Sequence, residues 1–108
     1  MSGRILYIDF KFNVTGEMYK QAVAPLADDI AAVPGLRWKI WTFNEAESEA
    51  GGVHLFDDEA AVNAYLQGPL AEKIVTHPAL SDFYVKQFDV VDEVTAITRG
   101  PIEERAQA

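Results

Sequence analysis

The stretch that decides the fold is Leu36-Arg37-Trp38-Lys39-Ile40-Trp41-Thr42-Phe43, followed after a polar connection by Glu49-Ala50-Gly51-Gly52-Val53-His54-Leu55-Phe56. Both runs are rich in aromatic and β-branched side chains, which suit a pleated strand. Asn44 to Ser48 joins them, so the pair reads as a hairpin with a fairly long loop. Gly51-Gly52 lies inside the second strand. Glycine there marks a bulge, or a place where another group approaches the backbone closely.

On the amino-terminal side, Leu6, Ile8, Phe10 and Phe12 alternate with Tyr7, Asp9 and Lys11. This predicts a strand over Arg4–Phe12 with one dry face and one mixed face. Asn13 or Thr15 can cap the helix that follows. Its stripe is Tyr19, Ala22, Val23, Leu26, Ile30 and Val33. Pro25 removes a backbone bond and predicts a kink or split near Gln21. Pro34-Gly35 ends the element.

On the carboxyl side, Asp57-Asp58-Glu59 opens a helix running to about Gln67, with Val62, Tyr65 and Leu66 inward. Gly68-Pro69 breaks it and starts a short helix that Pro78 stops. Phe83–Val91 reads as a fourth strand. Residues 1–92 form one domain on this reading, and 93–108 a tail. Val94, Ile97 and Ile102 suit the tail to packing on a partner, and Glu103–Ala108 frays.

The order is β-α-β-β-α-β, an α+β ferredoxin-like arrangement with four antiparallel strands and helices on one face. Trp38, Leu36 and Ile40 are expected on the helix side. Tyr7, Asp9, Trp41 and Phe43 are expected on the other, which is too apolar to stand in water. Two copies packing sheet to sheet would cover it.

The chain has 108 residues, 9 basic and 17 acidic side chains, two histidines and no cysteine, a formal charge of −8. Disulfides, thiolate catalysis and zinc fingers are excluded. The acidic balance argues against nucleic acid, which requires a basic footprint. No apolar run reaches the roughly 18 residues of a membrane span. Met1-Ser2-Gly3-Arg4 leads into a strand without a signal-peptide core, so a cytoplasmic protein is expected.

The segments Trp38–Thr42 and Glu49–Phe56, with Pro25-Leu26-Ala27 and Phe88-Asp89-Val90, resemble the YdhR-type mono-oxygenases. These belong to the dimeric α+β barrel, antibiotic-biosynthesis-monooxygenase-like superfamily. His54 stands where that pattern has an aromatic such as tyrosine. The resemblance implies a homodimer with a pocket between helices and sheet in each subunit. By likeness to quinone-forming members, it implies oxygenation of a small aromatic or polycyclic phenol with no cofactor, neither metal nor flavin. The superfamily also holds haem-degrading enzymes, cyclases, isomerases and binding proteins. A non-catalytic binding or stress-response dimer, or a redox-neutral lyase, cyclase or isomerase, therefore stands beside it.

His54 is the candidate catalytic residue. A strand histidine titrates near neutrality and can take a phenol proton, and a phenolate gives an electron to oxygen more readily. Otherwise it hydrogen-bonds across a dimer seam, because the glycine pair can shift the strand's parity. Trp38, Tyr65, Phe83 and Tyr7 are the candidate substrate-binding residues, as flat rings and hydroxyls that stack and hold an aromatic ligand. His77 either ligates haem or caps the end of its helix. The two histidines are 23 apart with no carboxylate at ligand spacing, so no metal site is expected. Asp9 and Asp89 read as structural partners of Lys11, Lys39 or Lys86.

Overall fold

The computed structural model describes residues 3–103. Strand β1 spans Arg4–Phe12, helix α1 Gly16–Val23 and helix α2 Leu26–Ala31. Strands β2 (Leu36–Asn44) and β3 (Glu49–Phe56) form the hairpin, around a 3-10 turn at Glu45–Glu47. Helices α3 (Glu59–Leu66) and α4 (Pro69–Val75), strand β4 (Leu80–Asp89) and helix α5 (Asp92–Ile97) complete the chain. The sheet order is β2-β3-β1-β4, with antiparallel pairs throughout, which is the ferredoxin-like α+β fold. No helix among the described residues is long and apolar enough to cross a membrane.

Local chemistry sets the element ends. Thr15 Oγ1 accepts a bond from the Met18 N–H at 3.1 Å, and Asp58 Oδ1 one from the Ala61 N–H at 2.8 Å. Each such cap contributes about 1 kcal/mol. Pro25 divides the first helical stripe into α1 and α2, a few residues beyond the expected break near Gln21. The core lies between the inner face of the sheet and the helices, where Leu6, Phe56 and Val62 are fully buried. Burying side chains of this kind contributes roughly 1.5–3 kcal/mol each.

Three expectations are corrected. The first concerns β2. Its register with β3 skips a residue between Leu36 and Trp38, and Arg37 is the residue passed over. Arg37 turns inward because its Nε donates to Asp57 Oδ1 at 2.7 Å and its Nη1 to the Ile102 carbonyl at 2.7 Å. Beyond it the pleat is inverted. Lys39, Trp41 and Phe43 pair with His54, Gly52 and Ala50 on the helix side. Trp38 and Ile40 lie on the outer face, the reverse of the expected placement. The second concerns Gly51-Gly52, which sit in unbroken register with β1, so there is no bulge. A Cβ on Gly51 would strike the Ile8 carbonyl, so close strand approach is the reason for this glycine. The third concerns β4, which starts at Leu80 rather than Phe83 and ends at Asp89. Its first residues pair with β1 across a register shift between Asp9 and Lys11. Asp82 there takes a left-handed φ of 55°, which aspartate tolerates better than most residues.

The tail holds α5 and then docks on its own chain. Trp38 Nε1–H donates to the Pro101 carbonyl at 2.7 Å, beside the Arg37–Ile102 bond. Of the segment expected to fray, residues 104–108 lie outside the described residues.

Candidate functional site

A cavity of about 400 Å³ lies between the inner face of the sheet and helices α1, α2 and α4. Trp41, Tyr19, Leu26 and Ile74 are among its walls, and Gly51 and Gly52 line it from the sheet. Both helical layers are broken in the sequence, at Pro25 and at Gly68-Pro69.

His54 faces this cavity, not the outer face. It is opposite Leu6 in register, and residues at even positions of β1 point toward the helices. Its side chain is fully buried, and its Nδ1 lies 2.9 Å from the Leu6 carbonyl. A carbonyl only accepts, so Nδ1 carries the proton and Nε2 presents a lone pair. Nε2 is buried with no hydrogen-bond partner among the described residues. Burial first, and then the Lys39 charge, push the imidazole down to about 4, against the opposing pull of the Leu6 carbonyl. His54 is therefore neutral at physiological pH and accepts rather than donates at Nε2.

The Tyr65 hydroxyl is also buried with no hydrogen-bond partner among the described residues, and its ring lies 5.8 Å from that of His54. Burial raises its pKa, so it remains a phenol. The two orphaned atoms both belong to residues that line the cavity. Buried polar groups are nearly always bonded, so such a pair on one cavity wall marks a place for a ligand's polar atoms.

The other residues singled out from the sequence are placed as follows. Phe83 packs on Phe10 at 5.4 Å and lines a smaller cavity of about 250 Å³ that shares Ile8, Tyr65 and Ile74 with the main one. Trp38 and Tyr7 do not line the main cavity, which corrects their assignment to it. The Arg37 bulge turns Trp38 outward, and Tyr7 sits at an odd position of β1, edge-on to Tyr84. His77 touches the cavity rim, and its Nδ1 accepts from the Ala79 N–H at 3.1 Å in the turn after α4. Asp89 pairs with Arg4 at 2.6 Å rather than with a lysine. Asp9 lies on the outer face near Glu49 and Lys11. Among the described residues no three histidine, aspartate or glutamate side chains are grouped to hold a metal ion.

Sequence reasoning missed two cavity residues, Lys39 and Trp41. The Lys39 Nζ lies 3.6 Å from the centre of the Trp41 ring. Burial pulls its pKa down to about 8. A Cβ on Gly52 would come within 2.6 Å of Lys39 Cε and 3.3 Å of His54 Cε1, so the glycine gives both side chains their room. The available signal was the pairing of Lys39-x-Trp41 with Gly52-x-His54, legible only once the bulge is known.

The pattern of one family, described as "Putative mono-oxygenase ydhR", matches residues 5–101. No curated protein sequence matches the chain. Among solved structures, SnoaB, a cofactor-independent oxygenase from Streptomyces nogalater, superposes with a TM-score of 0.69 at 15% identity, over 84% of this chain and 95% of that one. NE2512, a protein of unknown function from Nitrosomonas europaea, gives 0.64 at 21% identity, over 84% and 91%. The haem-degrader MhuD from Mycobacterium tuberculosis gives 0.63 at 18% identity, over 81% and 95%. At these identities the likeness concerns the fold.

Proposed function

The chain belongs to the YdhR mono-oxygenase family, and from that premise we propose that it oxygenates small aromatic or polycyclic phenols without a cofactor. The observation that carries this reading is the neutral, fully buried His54, whose unpartnered Nε2 stands on the cavity wall. A phenolic hydroxyl donates to that nitrogen and gives up its proton there. The phenolate passes an electron to dioxygen, and the radical pair combines at the ring carbon para to the oxygen. The peroxide formed loses water. One oxygen atom stays as the second quinone carbonyl and the other leaves in the water, so no external reductant is used. The ring lies against Trp41 and the apolar walls, and the Tyr65 hydroxyl bonds a substrate oxygen.

The outer face supports the homodimer that this reading includes. Ile40, Tyr84 and Phe88 remain 58%, 50% and 44% exposed there in the single chain. A second copy of the same face would cover them.

Oxygen uptake by the purified protein, with metals chelated and a panel of naphthols and hydroxyanthrones, tests the activity. The expected result is saturable uptake, lost on heating and reduced about 10²–10⁴-fold by His54→Ala. Ligands that bind without any uptake would replace this reading with a binding or redox-neutral role.

A further inference from the structure

We infer that the cavity holds its aromatic ligand as an oxyanion, and that Lys39 is the residue that holds the charge. The inference rests on the cavity being the ligand site and specifies the ligand: a phenol or enol that ionises on binding.

The first observation is how charge is divided. The chain carries 17 acidic and 9 basic side chains, yet among the described residues no aspartate or glutamate lines the cavity. Its titratable groups are Lys39 on β2, His54 on β3, Tyr19 on α1, Tyr65 on α3, Lys73 on α4 and His77 in the following turn. A molecule of net charge −8 thus encloses a cavity whose charged side chains, among the described residues, are lysines. The local field, not the net charge, decides what such a site attracts.

The second observation is the position of Lys39. A strand lysine ordinarily reaches water or a carboxylate on the neighbouring strand. Lys39 instead lies on the inner face opposite His54, with its stem across Gly52 and its ammonium over Trp41. Among the described residues its Nζ forms no salt bridge. A ring face compensates a partly desolvated ammonium incompletely, whereas an anion lying against the same ring would compensate it fully.

The third observation selects the kind of anion. His54 Nε2 offers a lone pair beside Lys39. A carboxylate would set its own lone pairs against it. A hydroxyl supplies the missing donor, and after proton transfer its oxygen lies between imidazolium and ammonium. In the empty cavity Lys39 opposes protonation of His54. An oxyanion between the two cations turns that repulsion into shared attraction.

The test uses 2-hydroxyanthraquinone, which is already oxidised and so does not turn over, and whose visible band moves on ionisation. Its titration is followed in buffer and with saturating protein, with anthraquinone as the probe lacking the hydroxyl. The expected result is a hydroxyl pKa lower by about one to three units when bound, the range for an opposite charge in contact. Lys39→Met and Lys39→Gln should abolish the shift, Lys39→Arg should keep it, and Lys86→Met on the outer face of the sheet should leave it in place. An unshifted or raised pKa, a full shift in the neutral Lys39 variants, or equal affinity for anthraquinone would each overturn the inference. Binding of neither probe would overturn it together with the ligand-site reading. Oxygen plays no part in this titration, so a depressed pKa without oxygen uptake sustains the inference while removing the oxygenase reading.

Discussion

The two faces of the sheet handle charge in opposite ways. On the inner face, His54 and Lys39 meet no carboxylate among the described residues of the cavity, and burial drives both toward their neutral forms. On the outer face, the Asp9 and Glu49 carboxyls are neighbours, and Tyr7 and Tyr84 stand beside them. Burial first, and then the neighbouring Glu49 carboxyl, push Asp9 up to about 6, with Lys11 opposing. Lys39 and His54 thus face inward, while the carboxylates Asp9 and Glu49 face outward among Lys11 and Lys86, all within a few residues on the same strands. The comparison teaches that strand parity, not composition, distributes chemistry in this fold. One residue of slip sends a side chain to the other environment.

The seam shared by both faces is where the largest effect is expected. Gly51→Ala would drive a Cβ into the Ile8 carbonyl and force β3 away from β1. A loss of about 3 kcal/mol is expected, read as a lower urea midpoint. Wild-type stability in the alanine variant would break the account of that seam.

The next test separates the faces by pH. The folded imidazole titrates at about 4 and the unfolded one near 6.5, so the unfolded chain binds the extra proton first. Stability is therefore lost as pH falls from about 6.5 to 4, by about 3 kcal/mol at pH 4 relative to pH 7. His54→Asn places an amide N–H where Nδ1–H stands, toward the Leu6 carbonyl, but does not titrate. Denaturation curves at pH 7 and pH 4 should show that dependence removed in this variant.

Ile40→Asp addresses the outer face alone. It should weaken self-association by about 2 kcal/mol, roughly 30-fold in Kd, seen by sedimentation. Probe binding in the cavity should survive, and its loss would show that the two faces are coupled. The smallest effect belongs to Asp9→Asn. The Asp9 pKa is raised on folding, so its contribution runs opposite to that of His54: present near pH 4 and lost as pH rises through about 6. The asparagine variant should gain slightly in melting temperature at pH 7 and nothing at pH 4.

The element order and the inner face of β1 were legible because a two-residue alternation is a direct statement of burial. Thr15 and Pro25 were legible for the same kind of reason, since capping and proline chemistry are local. The parity of β2 was not. Arg37 reads as a solvent residue and is instead buried by partners distant in sequence, Asp57 and Ile102. That one residue exchanged the places of Trp38 and Trp41 and concealed Lys39. His54 could be named from sequence, but its face stayed open until the glycine pair was found in register. The start of β4 was hidden by Ser81-Asp82, residues that read as a turn and act as one inside a strand. Helix α5 was read as tail, since Asp92–Ile97 is too short for periodicity to declare itself.

The inversion at Arg37 also decides which of the molecule's two optical channels looks into the cavity. Its two tryptophans stand three positions apart in the chain and on opposite sides of the sheet. Trp41 lies under the Lys39 ammonium at the cavity wall, so its emission reports what enters there. Trp38 is tied to the Pro101 carbonyl, so its emission reports whether the chain end stays fastened and whether the outer face is covered. Replacing either indole by phenylalanine leaves a single fluorophore, and the protein's own light then follows one face at a time.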